Sequence, residues 1–354
     1  MIPRQPRDVD AEWLTDRLQR VAPGVSVQSV EVVHGADATN YNATLRVSHD
    51  SATLPEMMFL KLPPLDPDRR EKLDWMSMGA RETRFYRDLA NLVDFRVPAV
   101  LVAEFDSVSG DFLLLLEHVD GGSCVLPDAA IGVAPGLVEQ ALHEFATFHA
   151  RFEDAATRVA GAPWLQRAGR SSDYGARLLR AGIDSGIALT PAFVAVAETY
   201  ITDRDRLQDA WELGPTTILH GDAHIGNVFV DESTAPGRLG FFDWGLMTVG
   251  SPLRDVSYFL TMTLDPSVRA ERESDLLEVY LAARDRAGAA AISFDDAWRW
   301  HRVQSAYTVV ASCQAIVVPT GAGTRRRRFA NAFVERASRA VEELNPLGAL
   351  AELD

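Results

Sequence analysis

The sequence predicts an α+β protein of two lobes, with a strand-rich front over residues 1–118 and a mostly helical back over 124–354. Three observations predict it. Alternating, β-branched runs crowd into the first 120 residues. Apolar residues at helical spacing dominate after them. The turn-forming Asp120-Gly121-Gly122 lies where the pattern changes, within a connecting segment at 119–123. A length of 354 residues suits two such lobes, and 47% apolar with 24% charged residues is the balance of an ordinary globular chain.

In the front, Val25 to Val33 and Tyr41 to Val47 read as strands, the second alternating Tyr41, Ala43, Leu45 and Val47 on one face. The small, polar stretch from His34 to Asn40 reads as the turn between them. Met57 to Leu62 is a third strand, stopped by Pro63-Pro64. Helical spacing follows over Ala80 to Leu92, and Val97 to Phe105 with Asp111 to His118 reads as a hairpin. In the back, Val138, Ala141, Leu142, Phe145, Phe148 and Phe152 define an amphipathic helix over Leu137 to Phe152. Pro191 to Trp211 reads as helix, and short strands return at Val228 to Asp231 and Leu239 to Phe242. From Leu253 onward the pattern is helical, with Ser293 to Asp296 resembling a capping box.

Charge and composition narrow the function. The net charge of −15, from 50 acidic and 35 basic residues, opposes binding to nucleic acid. Two distant cysteines, Cys124 and Cys313, offer neither a disulfide framework nor a zinc pattern, and a reducing compartment fits. The polar N-terminus lacks a secretory apolar region and no run is suited to span a bilayer, so a cytoplasmic protein without a membrane partner is expected. The basic run Arg325 to Arg328 reads as the solvated start or flank of a helix.

The sharpest chemistry lies in Leu219-His220-Gly221-Asp222-Ala223-His224-Ile225-Gly226-Asn227, followed by two short strands and Asp243-Trp244-Gly245. Phosphoryl transfer needs a carboxylate that orients and deprotonates a hydroxyl, and oxygen ligands for the magnesium that neutralises nucleotide phosphates. Asp222 suits the first role. The Asn227 amide oxygen and the Asp243 carboxylate suit the second, because magnesium prefers hard oxygen donors. Zinc would leave Asn227 and Asp243 unexplained. His143 and His149, on the Phe-rich helix, read as packing or capping residues.

This ordered set resembles the aminoglycoside phosphotransferase and choline kinase group, whose fold is bilobal and protein-kinase-like, and in detail the ecdysteroid-kinase-like branch. Asn40-Tyr41 resembles the nucleotide loop of that branch. Phe59 to Pro63 resembles its third strand, Arg81-Glu82 with Phe85-Tyr86 its first helix, and Gly250 to Leu260 the segment after its metal aspartate. The resemblance implies ATP and Mg2+ as cofactors. Lys61 would contact the phosphates and Glu82 would hold it. Gly35 and Asn40 would belong to the loop over the phosphates, with backbone amides near Ala36 to Asn40 covering them. Backbone groups near Glu117 and Val119 would meet the adenine edge, at the end of a nucleotide-binding lobe. His220 and Asp255 would brace the catalytic loop, and Trp244 would pack.

The pattern departs from protein kinases in two places. The nucleotide loop has one glycine, Gly35, and Asp37 stands where it would repel phosphates. Only Trp244 to Ser251 separate Asp243 from Pro252, which leaves no long activation loop. A small-molecule hydroxyl is therefore the expected acceptor: an antibiotic, a sterol-like compound or an amino alcohol. Trp164, Tyr174, Trp300 and His301 could line its pocket, although core packing is the simpler reading of each. Two alternatives use the same residues: a non-catalytic nucleotide-binding pseudokinase and a nucleotidyl transferase. The oligomeric state is not encoded in any motif.

Overall fold

A computed structural model describes residues 2–37, 39–167, 169, 173–319 and 321–353, apart from the side chains of Lys72, Leu73 and Trp75. The chain divides into two compact units. The first comprises 1–126 with the later segments 231–235 and 240–246, and the second comprises 127–230, 236–239 and 247–354.

In the first unit, Asp10 caps helix α1 (Ala11–Leu18) by accepting from the Trp13 amide. A five-stranded antiparallel sheet follows, built from β1 (Val27–Asp37), β2 (Tyr41–His49), β3 (Met57–Leu62), β4 (Val100–Phe105) and β5 (Phe112–Glu117) in the order β1-β2-β3-β5-β4. The period-two pattern of β2 buries Ala43, Leu45 and Val47 on one face. They join Leu14, Leu18, Leu60, Leu62, Leu113 and Leu115 in one core. Between β3 and β4 lie α2 (Pro67–Trp75) and α3 (Met78–Arg84), the latter continued by a wider turn over Phe85–Leu89.

Two expectations change here. The stretch from His34 to Asp37 is not a turn: it extends β1, with Gly35 opposite Ala43 and Asp37 opposite Tyr41. Pairing with β2 satisfies backbone groups that a turn would have left to water. Helices α1 and α2 were not legible, because their apolar positions are too few to set a period. A two-residue strand, β6 (Cys124–Val125), ends the main run of this unit.

The second unit is helical, as its spacing predicts. It contains α4 (Pro135–Glu153), α5 (Ala155–Gly161), α6 (Tyr174–Asp184), α7 (Pro191–Thr202) and α8 (Arg204–Trp211). The stretch expected as one helix breaks at Asp203, where φ is −143° and the carbonyl ladder stops. Strands β7 (Thr217–Leu219), β8 (Val228–Asp231), β9 (Arg238–Phe241) and β10 (Thr248–Gly250) come next, with β7 and β10 paired antiparallel. Then follow α9 (Pro252–Thr263), α10 (Pro266–Arg286), α11 (Phe294–Gln304), α12 (Ala306–Ala311), α13 (Thr324–Leu344) and α14 (Pro346–Ala351). Ser293 caps α11 through the Asp296 amide, as its motif predicts. The core gathers Leu179, Phe193, Trp211, Tyr258, Val303 and Phe333. No helix among the described residues is long and apolar enough to cross a membrane.

Candidate active site

In the first unit, β3 lies between β2 and β5, with Asn42 on one side of Lys61 and Leu114 on the other. Lys61 is therefore a central-strand residue, not an edge charge. Its side chain is buried, and Nζ donates to Glu82 Oε2 at 2.6 Å and to Asp243 Oδ1 at 2.9 Å. Strand, helix and the Asp-Trp-Gly turn are thus brought to one ammonium. Burial disfavours the Lys61 charge, but Asp243 and Glu82 outweigh it, and the pKa rises above the ordinary lysine value. Burial likewise pushes the Glu82 carboxyl up to about 7 against the opposing pull of Lys61. Asp243 sits at φ +62°, in the left-handed region that aspartate tolerates better than most residues. Trp244 stacks on Phe85 with centroids 3.8 Å apart and planes 7° from parallel, so it packs as expected.

The expected nucleotide loop is mixed. Gly35 is exposed within β1, and a methyl there would meet the Tyr41 hydroxyl at 2.8 Å. Ala38 lies outside the described residues. Asn40 is buried, and its side-chain oxygen accepts no hydrogen bond among the described residues. Asp37 does not stand as an open negative charge, because Arg69 pairs with it at 2.6 Å. At the far end of β5 the Glu117 carboxylate accepts from Arg96 at 2.5 Å and from the Ala99 amide at 2.9 Å. Arg96 also donates to Asp231 at 2.7 Å, tying the 231–235 segment to this unit. Val119 is half-buried.

In the second unit, β7 ends at Leu219 and the catalytic-loop motif begins. Asp255, on the first turn of α9, accepts from the backbone amides of His220 at 2.6 Å and Gly221 at 2.9 Å. His220 Nδ1 in turn accepts from the Asp222 amide at 3.2 Å. Gly221 has φ +82°, which turns the chain so that Asp222 follows directly. The Asn227 amide nitrogen donates to the Asp222 carbonyl at 2.9 Å and to its Oδ2 at 3.0 Å, leaving the amide oxygen as the atom offered to a cation. Burial pushes the Asp222 carboxyl up, but His224, His220 and Asn227 outweigh it, so the group lies below the usual carboxylate value. His149 is buried against Tyr280 at 2.8 Å and within 3.5 Å of Asp255; burial lowers its pKa and favours the neutral ring.

Of the expected pocket residues, His301 is a core group, bonded to Ser257 at 2.9 Å and Glu273 at 3.3 Å. Trp164, Tyr174 and Trp300 are half-buried. Sequence reasoning missed Arg69 and Arg96, whose partners lie 32 residues away and, for Asp231, 135 away. No local pattern marks such pairs. Among the described residues no three or more His, Cys, Asp or Glu gather as a metal site.

The sequence profile of the phosphotransferase enzyme family matches residues 30–292. The chain belongs to this family. It is a small-molecule kinase with the α+β fold the sequence predicts, an N-terminal antiparallel sheet followed by a larger helical region. Solved structures agree in fold. A Ralstonia eutropha protein provisionally assigned as an aminoglycoside phosphotransferase is 15% identical with TM-score 0.53, over 95% of this chain and 97% of that one. The GDP complex of wild-type aminoglycoside 2′-phosphotransferase-IIIa is 15% identical with TM-score 0.50, over 97% and 99%. A macrolide 2′-phosphotransferase type I is 15% identical with TM-score 0.50, over 95% and 98%. No curated protein sequence matches the chain.

Proposed function

We propose that this phosphotransferase uses ATP and magnesium to phosphorylate a hydroxyl of a small molecule in the cytoplasm. The observation that carries the reading is the buried Lys61 ammonium held at once by Glu82 and Asp243, residues 21 and 182 positions away in sequence. An ammonium so placed is a preset counter-charge for nucleotide phosphates. The strand-rich lobe binds the nucleotide, with Glu117 to Val119 at the adenine edge and the stretch from Gly35 to Asn40 over the phosphates. The orphaned Asn40 oxygen fits a ligand that brings its own donor.

Asp222 orients the acceptor hydroxyl. The acceptor oxygen bonds to the γ-phosphorus as the bond to the bridging oxygen breaks, ADP leaves, and the hydroxyl proton passes to the Asp222 carboxylate. The Asn227 amide oxygen and the Asp243 carboxylate are each hard oxygen donors of the kind magnesium takes. Bound there, magnesium would supply positive charge against the phosphates. The resemblance to the ecdysteroid-kinase-like branch favours a bulky, partly apolar alcohol.

The test is Mg2+ and ATP with a panel of aminoglycosides, macrolides, nucleoside antibiotics, sterols and amino alcohols, read by mass. One added phosphate on a panel member supports the reading. Added AMP would make the protein a nucleotidyl transferase, and no transfer alongside tight ATP binding would make it a pseudokinase.

A further inference from the structure

The surroundings of Asp222 in the second unit bear on the charge of its acceptor, an inference that rests on the phosphotransfer reading above. The His224 ring stands edge-on to Tyr258 at 5.8 Å and to Phe333 at 5.1 Å, with Phe329 at 6.3 Å. His224 Nε2 is 3.5 Å from Asp222 Oδ2. A methyl on Gly226 would fall 2.9 Å from Phe329 Cζ, so α13 packs directly on the loop that carries Asp222.

Phe329 and Phe333 share one face of α13. Arg325 and Arg326 lie four and three residues before Phe329, so they fall on that same face one turn away, about 5.4 Å along the axis. Both are exposed, and neither has an ion-pair partner among the described residues. Arg328, on another face, pairs with Asp128 at 2.8 Å. The first turn of a helix disfavours cations, so these arginines do not serve the helix. They also stand in a chain of net charge −15. Behind the aromatic wall is another cation: Arg254 lies 4.2 Å over the Tyr307 ring, its Nε buried without a partner, and Tyr307 is 5.2 Å from Tyr258. A polycationic acceptor would meet the Arg325 and Arg326 cations here, neither of them ion-paired among the described residues.

We infer that the acceptor is a hydroxyl compound with an apolar ring and an anionic group, carboxylate or phosphate ester, and that Arg325 and Arg326 take the anion while Phe329 borders the ring. The anion orients the acceptor and is not itself altered by the reaction.

Three probes of one shape test this: para-(hydroxymethyl)benzoate, para-(hydroxymethyl)benzyl alcohol and para-(hydroxymethyl)benzylammonium, titrated against the full chain by ligand-observed NMR. The carboxylate should bind best and the ammonium worst, the ends differing by about tenfold. Arg325→Glu with Arg326→Glu should invert that order, a single Arg326→Gln should flatten it, and Arg328→Glu should leave it as it is. Thermal unfolding confirms that each variant is folded. Four results overturn the inference: no binding of any probe, an ammonium preference in the wild type, an unchanged order in the double variant, or an equal shift in Arg328→Glu. Phosphate transfer is read in parallel with Mg2+ and ATP. Charge-ordered binding without transfer to any compound would sink the phosphotransfer reading and leave the anion site standing, whereas transfer without charge order would do the reverse.

Discussion

The two carboxylates proposed for the chemistry are held by opposite means. Asp243, in the first unit, accepts from a buried lysine at 2.9 Å, and its backbone is in the left-handed region. Asp222, in the second, has no lysine or arginine ion pair among the described residues; its oxygens meet the Asn227 amide and His224, and its loop hangs from the Asp255 carboxylate by two backbone amides. The first arrangement balances buried charge with charge. The second spreads it over hydrogen-bond donors. A charge-balanced cluster leaves an uncompensated ion when one member goes, whereas a donor-held loop loses alignment first. The two regions should therefore fail differently.

The largest effect is expected at the second. Asp222→Asn removes the proton acceptor but keeps the shape, so kcat should fall about a thousandfold with nucleotide affinity unchanged. Steady-state kinetics with titration of a fluorescent ATP analogue checks this, and equal turnover would remove Asp222 as the base. Lys61→Ala comes next: nucleotide affinity and kcat/KM should fall together by about a hundredfold, with Glu82 left buried beside Asp243. If affinity held while kcat alone fell, the phosphate role of Lys61 would be wrong.

Three further predictions concern stability. Asp255→Ala strands two buried amides and should cost about 2–4 kcal/mol in denaturant unfolding, with kcat lost as the loop relaxes. A loss under about 0.5 kcal/mol would mean the loop is held by other contacts. The charged cluster should show a pH signature opposite in sign to that of the loop, where the lowered Asp222 value makes stability fall as pH falls. Glu82 has an ordinary value of 4.5 and a folded value of about 7, so the folded chain holds this proton more firmly. Its contribution to stability is fully present below about 4.5 and lost as pH rises through about 7. The nucleotide-free wild type should therefore lose thermal stability relative to Glu82→Gln across that window. Parallel profiles would show that Glu82 ionises normally. The smallest effect belongs to Gly221→Ala, where a side chain at φ +82° should cost about 1–2 kcal/mol.

Motif order and local pattern made much of the molecule legible. The helix over 135–153, the strand holding Lys61 and the capping of α11 by Ser293 all follow from apolar period or turn chemistry that acts within a few residues. The His-Gly-Asp segment and Asn227 stand out as one proposed set because one short loop carries both. By contrast the extension of β1 to Asp37 escaped notice, since polar residues join a strand when a partner strand takes their backbone groups. Helices α1 and α2 escaped for lack of a period, and the break at Asp203 for lack of a proline or glycine there.

The sequence by itself determined the α+β order, the family and the residue types proposed for the chemistry, because each is written in spacing along the chain. Only the tertiary structure decided that segments 231–235 and 240–246 belong to the first unit, so that Asp243 meets Lys61. It also decided that Arg69 neutralises Asp37, that Arg96 spans Glu117 and Asp231, and that Arg325 and Arg326 share a face with Phe329. Ion pairs and packing faces depend on which distant elements the folded core brings within a few ångströms, and no local pattern carries that distance.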